Sequence, residues 1–371
     1  MKAVQLMDWK GTLELRDIPD PTPGAGQVLL KMTAAGLCHS DVAVMNGLGK
    51  DLGMQLPMTL GHECVGTVID AGEGARNLVR MGENVMVYGP WGCGRCEMCA
   101  EGYENYCYNA TRLNITPPGL GHDGGAAEYM LVDRGRYCIP IGDLDPVTAA
   151  PLTDAGLTPY HALQHSRAKL TANSVAVVFG AGGLGHVAIQ LIKHLTPATV
   201  IALDTSAAAL ELARQVGADF VFNSDQDAVK AVKDITKGQG ADVVFDFVGV
   251  QPSVDLGAQM CKVRGDWNIV GIGGGVAKVG FGVVPYECQV FSPYWGTRRD
   301  LYEVVALAQR GYIKIHTTPW SLEDGVEAYQ NLITGKVLGR AVLVPGMPSK
   351  AAREAEQKAN KAAAAQAKAG K

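Results

Sequence analysis

The stretch "SVAVVFGAGGLGHVAIQLIKHLTPATVIALD", residues 174–204, passes from an apolar strand pattern through a glycine-rich turn into a helical pattern and back into a strand. The rhythm continues through "SAAALELARQVGADFVFN" and "DAVKAVKDITKGQGADVVFDFVG" to about residue 290. Strands separated by helices of this length cannot pair as hairpins. Each helix must carry the chain back across the sheet, so the pattern predicts a doubly wound parallel sheet with helices on both faces. Gly180, Gly182 and Gly185 form a G-x-G-x-x-G turn at the first strand-to-helix junction. In such a turn the first glycine permits the tight bend, the second lets a pyrophosphate approach the backbone, and the third lets helix and strand pack closely. The phosphates then sit on the helix N-terminus, where unpaired N–H groups favour negative charge. The next strand ends on Asp204, nineteen residues past Gly185. A carboxylate there accepts a hydrogen bond from a ribose 2′-hydroxyl and repels a 2′-phosphate, which favours NAD over NADP. The alternative for Asp204 is a plain helix N-cap ahead of "SAAALELAR".

A chain of 371 residues exceeds what one core usually organises, so two domains are expected. Residues 1 to about 150 read as short strands: "KAVQLM", "QVLLKMTAAG", "ECVGTVIDAG", "ENVMVYG" and "AAEYMLVD", separated by Gly, Pro and Asp clusters. Helices are expected near 299–310 and 322–334. "GRAVLVP" is a last strand that returns to the first domain. The tail 347–371 holds ten alanines, carries a net charge of +4 and has no apolar stripe, so it is expected to be an unstructured or appended extension. The overall charge of −4 and the lack of any eighteen-residue apolar run argue against a nucleic-acid surface and a membrane span. Asp8 and Glu14 interrupt any signal-peptide pattern, so the expected location is cytoplasmic.

A reducing compartment disfavours disulfides, and the chain carries nine cysteines, an odd number. Cys93, Cys96, Cys99 and Cys107 follow C-x2-C-x2-C-x7-C, a spacing that wraps four thiolates around one tetrahedral ion. An iron–sulfur cluster is the rival, but ferredoxin runs place the fourth cysteine after x3 and before a proline. Here x7 intervenes and Tyr108 follows. The spacing therefore favours a closed structural zinc site over a cluster, or over cysteines that merely pack. "GLCHSDV", "TLGHECVG" and "APLTDAGLTPY" add Cys38, His39, Ser40, His62, Glu63 and Asp154. Cysteine, histidine and carboxylate are each zinc ligands, and three of them with one open position define a catalytic site. Spacing alone does not join them. His62 reads equally as a satisfied polar residue and Asp154 as a helix cap.

"GLCHSD", "GHE", the four-cysteine lobe, "TDAGLTPY" and "GAGGLG", in that order, resemble the zinc-dependent medium-chain alcohol dehydrogenase family, and "SPYWGTR" and "GRAVLVPG" are similar to its bacterial secondary alcohol dehydrogenases. The resemblance spans roughly residues 1–346. It implies an α/β fold in which a Rossmann domain, 151–293, interrupts a β-rich GroES-like catalytic domain, 1–150 and 294–346. It also implies two zinc ions per subunit. Cys38, His62 and Asp154 would bind the catalytic zinc with Glu63 beside it, and Cys93, Cys96, Cys99 and Cys107 the structural one. Gly180, Gly182, Gly183, Leu184, Gly185 and Asp204 would carry NAD, with Arg340 near the cofactor phosphates. The implied reaction is reversible hydride transfer between an alcohol and NAD, with Ser40 receiving the hydroxyl proton.

Many relatives read C-x-[ST]-D-x-H where this chain reads Cys38-His39-Ser40-Asp41-Val42-Ala43, so the histidine that ends their proton relay is absent. Either His39 takes the proton or the ribose hydroxyl hands it directly to water. By resemblance Ala43, Met54, Leu120, Tyr294 and Trp295 line the substrate pocket. The small Ala43 is expected to leave room for aryl or branched groups unless neighbours refill it, which favours secondary alcohols and ketones. The rivals are a polyol or amino-alcohol dehydrogenase of the same fold and a non-catalytic, zinc-stabilised NAD-binding redox sensor. "GAQMCKVRGDWNIVGIGGG" and the apolar run after it are expected to offer an exposed edge strand of the nucleotide domain, and the resemblance implies a homodimer paired across a two-fold axis, with a homotetramer as the alternative.

Overall fold

Val175–Phe179 is buried at every position, as a strand covered by helices on both faces must be. In the computed structural model, which describes residues 1–369 with side chains through residue 360, this strand lies inside a six-stranded parallel sheet. The order is Phe220–Asn223, Thr199–Asp204, Val175–Phe179, Ala241–Asp246, Cys261–Ile269, Gln289–Phe291. Counted along the chain this is 3-2-1-4-5-6, and the order reverses beside Val175–Phe179. A crevice opens at such a reversal, at the carboxyl ends of the strands. The helices Gly185–Leu195, Ala207–Gln215, Gln226–Ile235 and Gln251–Met260 make the crossovers.

The expected edge strand is corrected. Its first residues finish the helix Gln251–Met260, and Cys261–Ile269 lies inside the sheet, hydrogen-bonded on both sides. Trp267 is too large to leave in water and is fully buried there. The edge is the three-residue strand Gln289–Phe291, reached through a run that leaves Val276, Val279, Phe281, Val283 and Tyr286 exposed.

The second unit is built on a seven-stranded sheet. Thr317–Ser321, Arg340–Val344, Val28–Gly36, Glu63–Ala71, Asn84–Val87 and Cys138–Pro140 follow one another, and Tyr129–Val132 also pairs with Val28–Gly36. A three-stranded sheet of Leu13–Asp17, Lys2–Leu6 and Met58–Thr59 stands beside it. The central strand buries Val28, Leu30 and Met32 and exposes Lys31, the alternation of a sheet with one covered face. Arg340–Val344 pairs antiparallel with that strand through Val342↔Gly36 and Leu343↔Ala35, so the end of the chain closes the sheet begun at its start. Leu13–Asp17 and Thr317–Ser321 are strands that apolar patterning did not reveal, because both are largely exposed.

The tail also departs from expectation. Lys350–Ala369 is a helix, as its alanines, lysines and glutamates favour. Its described side chains stay almost wholly in water, which agrees with the missing apolar stripe. Residues 370–371 lie outside the described residues. Among the described residues no helix is long and apolar enough to cross a membrane.

Candidate functional site

Cys38 follows the strand Val28–Gly36, and His62 immediately precedes Glu63–Ala71. The register Gly36↔Glu63 sets these two strand ends side by side. A side chain at Gly36 would overlap Glu63, so glycine is what lets this carboxylate lie against the neighbouring strand. Asp154 follows the short helix Ala150–Thr153 and projects into the same space. One donor atom from each of Cys38, His62, Glu63 and Asp154 lies within 4.8 Å of the others, and all four residues are buried. Cys38 Sγ is 3.3 Å from Asp154 Oδ2, and His62 Nε2 is 3.7 Å from the same oxygen. His62 Nδ1 is bonded at 2.8 Å to Asp41 Oδ1, which leaves Nε2 facing the cluster. Asp154 Oδ1 accepts a 2.6 Å hydrogen bond from Thr158 Oγ1 while Oδ2 remains turned inward, and the helix Leu157–Ser166 has Gly156 rather than Asp154 as its N-cap.

Arg340 is buried in the middle of this group. Its Nη2 lies 2.8 Å from Glu63 Oε1 and 3.2 Å from Asp154 Oδ2. Burial pushes the Glu63 carboxyl pKa up, Arg340 opposes that rise, and the Asp154 charge reinforces it. Burial also raises Asp154, but His62, Arg340 and Thr158 outweigh it and hold this carboxyl below the usual range. Neither Glu63 oxygen receives an aligned hydrogen bond. Glu63, Asp154 and the Cys38 sulfur therefore crowd anionic and ligating atoms around one guanidinium. A divalent cation would balance that excess, and the thiol, imidazole and carboxylate donors suit zinc.

The cluster forms the floor of a cleft of 680 Å³ whose other end is the glycine turn. Gly180 has φ +80°, open to glycine without strain. A Cβ on Gly185 would overlap the Gly180 carbonyl oxygen, whereas one on Gly182 would meet nothing within 4 Å. The first contact is the tight helix–strand packing expected of the third glycine, and the second is open room above the N-terminus of Gly185–Leu195. Asp204 Oδ2 accepts from the Ala181 N–H and Oδ1 from the Ser206 N–H, each at 2.8 Å. The helix cap is Ser206, which leaves Asp204 on the cleft wall.

In the lobe, Cys93 Sγ and Cys99 Sγ are 4.0 Å apart and Cys96 Sγ and Cys107 Sγ 3.9 Å, with all four sulfurs within 4.8 Å. Four thiolates at ~2.3 Å from one tetrahedral ion would be about 3.8 Å apart, so the wrap fits a single zinc. Hydrogen bonds from the Asn109 side chain and the Arg95 and Cys96 N–H groups lower the Cys93 thiol pKa to about 5, which favours the ligating thiolate.

A family model described as "Alcohol dehydrogenase GroES-like domain" matches residues 24–143, and one described as "Zinc-binding dehydrogenase" matches residues 183–310. An NAD-dependent alcohol dehydrogenase of Sulfurisphaera tokodaii is 38% identical over 93% of this chain and 100% of its own. The chain belongs to the zinc-dependent medium-chain alcohol dehydrogenase family. Among solved structures, the alcohol dehydrogenase of Aeropyrum pernix superposes with a TM-score of 0.87 at 35% identity, covering 93% of this chain and 100% of that one. Acetophenone reductase from Geotrichum candidum, in complex with NAD, superposes at 0.82 with 32% identity, covering 92% and 96%.

In this alcohol dehydrogenase fold, His39, Ser40, Leu120, Tyr294 and Trp295 line the cleft together with the cluster and the glycine turn, including Gly183 and Leu184. Ser40 Oγ is 3.6 Å from Cys38 Sγ. The Trp295 indole donates to the Thr153 carbonyl at 2.7 Å and stands edge-on to His62, ring centroids 5.5 Å apart. Ala43 and Met54 are corrected. Neither lines the cleft, and Met54 packs on the core cluster around Leu60 and Tyr329. Ala43 ends the short helix that begins at His39, and Met54 follows two further helical segments. Arg340 lines the cleft 2.8 Å from where a Gly183 Cβ would be, beneath the glycine turn, and its ion-pair partners are Glu63 and Asp154. Sequence reading missed the roles of Asp41 and Thr158. Asp41 stands inside the "CHSD" motif and was legible there, whereas nothing in the sequence ties Thr158 to Asp154 beyond their helical spacing.

Gly185→Ala is expected to destabilise the fold by about 3 kcal/mol, because backbone must move to admit the methyl. Gly182→Ala is expected to unfold at the wild-type denaturant midpoint. Urea titration of both variants checks the contrast, and equal midpoints would contradict it.

Proposed function

We propose that the chain catalyses reversible oxidation of alcohols, mainly secondary ones, with NAD, and that it carries two zinc ions. The observation that supports this most is the shared cleft: Cys38, His62 and Asp154 line one end of it with Glu63 buried beside them, and the glycine turn and Asp204 line the other. Cys38, His62 and Asp154 would hold the catalytic zinc, with Glu63 beside it, and the four cysteines of the lobe a structural zinc. The groups bound there supply Lewis acidity that makes an alcohol hydroxyl more acidic and a nicotinamide that accepts hydride. The chain supplies position and proton handling. Ser40 accepts the hydroxyl proton, and with Ala43 offering no acceptor, the proton leaves through His39 or directly to water. Asp204 selects NAD by accepting from the ribose and repelling a 2′-phosphate. Leu120, Tyr294 and Trp295 give the substrate end an apolar wall that favours ketones with an aryl or branched substituent over polyols. The acetophenone reductase among the structural relatives supports the same substrate class.

The deciding assay follows nicotinamide absorbance with acetophenone, 2-butanone and sorbitol, using NADH or NADPH for the ketones and NAD or NADP for sorbitol. NADH with acetophenone is expected to give a kcat/KM at least about tenfold above that for sorbitol, and Leu120→Trp to lower the acetophenone-to-butanone ratio by about tenfold. Sorbitol in the lead would favour the polyol reading, and no turnover at all the redox-sensor reading.

Two zinc ions of unequal lability are expected, because the cluster with Cys38 opens onto the cleft while the four-thiolate wrap is closed. Mild chelation should stop turnover before the lobe unfolds. Elemental analysis finding one zinc, or iron, in fully active protein would contradict this assignment.

The assembly we propose is a cytoplasmic homodimer, with a homotetramer as its alternative. Its support is the short edge strand Gln289–Phe291 and the exposed apolar run beside it, where Phe281 is 95% exposed. Light scattering at micromolar concentration is expected to give twice the chain mass, and a monomer would remove the proposal.

A further inference from the structure

Behind the metal cluster, on the side away from the cleft, Asp41 joins His62 to a residue near the other end of the sequence. Asp41 is fully buried. Its Oδ1 faces His62 Nδ1 at 2.8 Å, and its Oδ2 accepts from the Cys38 backbone N–H at 3.1 Å and from the Tyr329 hydroxyl at 3.2 Å. Two of these three donors belong to candidate metal ligands. The third, Tyr329, sits on the helix Gly325–Ile333, does not line the cleft and is itself fully buried. Its ring is seated among the apolar residues of the core around Leu37, Leu60 and Leu343, so the hydroxyl is held in place by packing.

The physics of the chain of bonds is directional. An imidazole that offers Nε2 to a metal must be neutral and keep its proton on Nδ1, and a carboxylate accepting that proton fixes both tautomer and ring orientation. The carboxylate can do so only while its own rotation is fixed. A buried anion also depends on each hydrogen bond, since a lost donor leaves an oxygen unsolvated. Among the described residues, Tyr329 is the one donor to Asp41 that neither is a candidate metal ligand nor takes part in the reaction. We infer that Tyr329 is a positioning residue of the metal centre: its hydroxyl holds the Asp41 carboxylate in the rotation that keeps His62 Nε2 aimed at the ion, and so it raises metal affinity. The inference rests on the reading that Cys38, His62 and Asp154 bind zinc.

Tyr329→Phe removes only the hydroxyl and keeps the ring in the core. Zinc affinity at the cleft site is read by competition with a chromophoric chelator. Ligand geometry is read from the visible bands after cobalt(II) replaces that zinc, and folding from thermal unfolding of protein stripped at that site alone. The variant is expected to bind zinc at least about tenfold more weakly at the cleft site. Its cobalt bands should shift, while the lobe keeps its metal and the stripped protein unfolds at the wild-type temperature. Tyr329→Leu, which removes the ring as well, should show the same weakening together with a lower unfolding temperature. Wild-type zinc affinity and cobalt bands in Tyr329→Phe would overturn the inference. So would a loss of metal from both sites in step with a lower unfolding temperature, which would mark the hydroxyl as merely structural. A wild-type chain that holds zinc in the lobe alone would instead overturn the functional reading, and the inference with it.

Discussion

Arg340 is shared by three segments of chain that are far apart in sequence. Its Nη2 meets Glu63 and Asp154, its Nη1 lies 3.5 Å from the Leu37 carbonyl, and almost none of it reaches water. A guanidinium taken from water loses several kcal/mol of solvation, which only close and well-placed anions restore. Burial works against its charge here, but Cys38, Glu63 and Asp154 outweigh burial and keep it protonated. The dependence runs both ways. Without the guanidinium, Glu63 and Asp154 would each lose an ion-pair partner and depend on His62 alone. The strand Arg340–Val344, which returns from the far end of the sequence, thus completes the site as well as the sheet.

The same side chain explains why the two halves of the cleft stay in register. Gly183 rests against Arg340 so closely that a Cβ would come within 2.8 Å of it. The turn that would receive the cofactor phosphates and the carboxylates that would face the metal are therefore held by one group. Trp295 plays a comparable part at the substrate end. Its backbone has φ +54°, uncommon for a bulky residue, and its ring presses against Gly89, where any side chain would overlap it. The indole bond to Thr153, next to Asp154, ties the pocket wall to a candidate ligand. Substitutions at the wall are for that reason expected to act on metal binding as well as on substrate size.

The four-cysteine lobe is tied to the same body by buried charge. Glu104 lies 3.2 Å from Arg298 and 3.9 Å from Arg136, and Arg136 donates to the Gly92 carbonyl beside the first cysteine. Arg298 opens the helix Arg298–Gln309, whose Thr297 and Asp300 form a capping box. Asp300 also accepts from His161, and the other ring nitrogen of His161 lies 3.1 Å from the Tyr106 hydroxyl, next to Cys107. The four cysteines draw a short loop around one point, and these contacts fix where that loop sits on the catalytic domain.

What the sequence determined by itself was whatever a few consecutive residues enforce. The strand–turn–helix at Val175–Leu195 follows from apolar periodicity and glycine sterics. The sulfur wrap follows from the close spacing of Cys93, Cys96, Cys99 and Cys107. Asp204 was legible as the end of an apolar strand. The tertiary structure alone decided the rest. Cys38 and His62 meet because Gly36 pairs with Glu63, a register set by which faces of two strands are buried, and Asp154 joins them from the end of the helix Ala150–Thr153. Resemblance could name those residues, but their spacing could not join them. Ala43 and Met54 stand outside the pocket, and Met54 packs instead on the core around Leu60 and Tyr329. Cys261–Ile269 became an inner strand because Gln289–Phe291 covered it. The bonds from Arg340 to Glu63 and from Tyr329 to Asp41 left no trace in local pattern. They depend on which buried charges the folded chain brings within reach of one another, and such pairings are fixed by packing over hundreds of residues rather than by the geometry of neighbours.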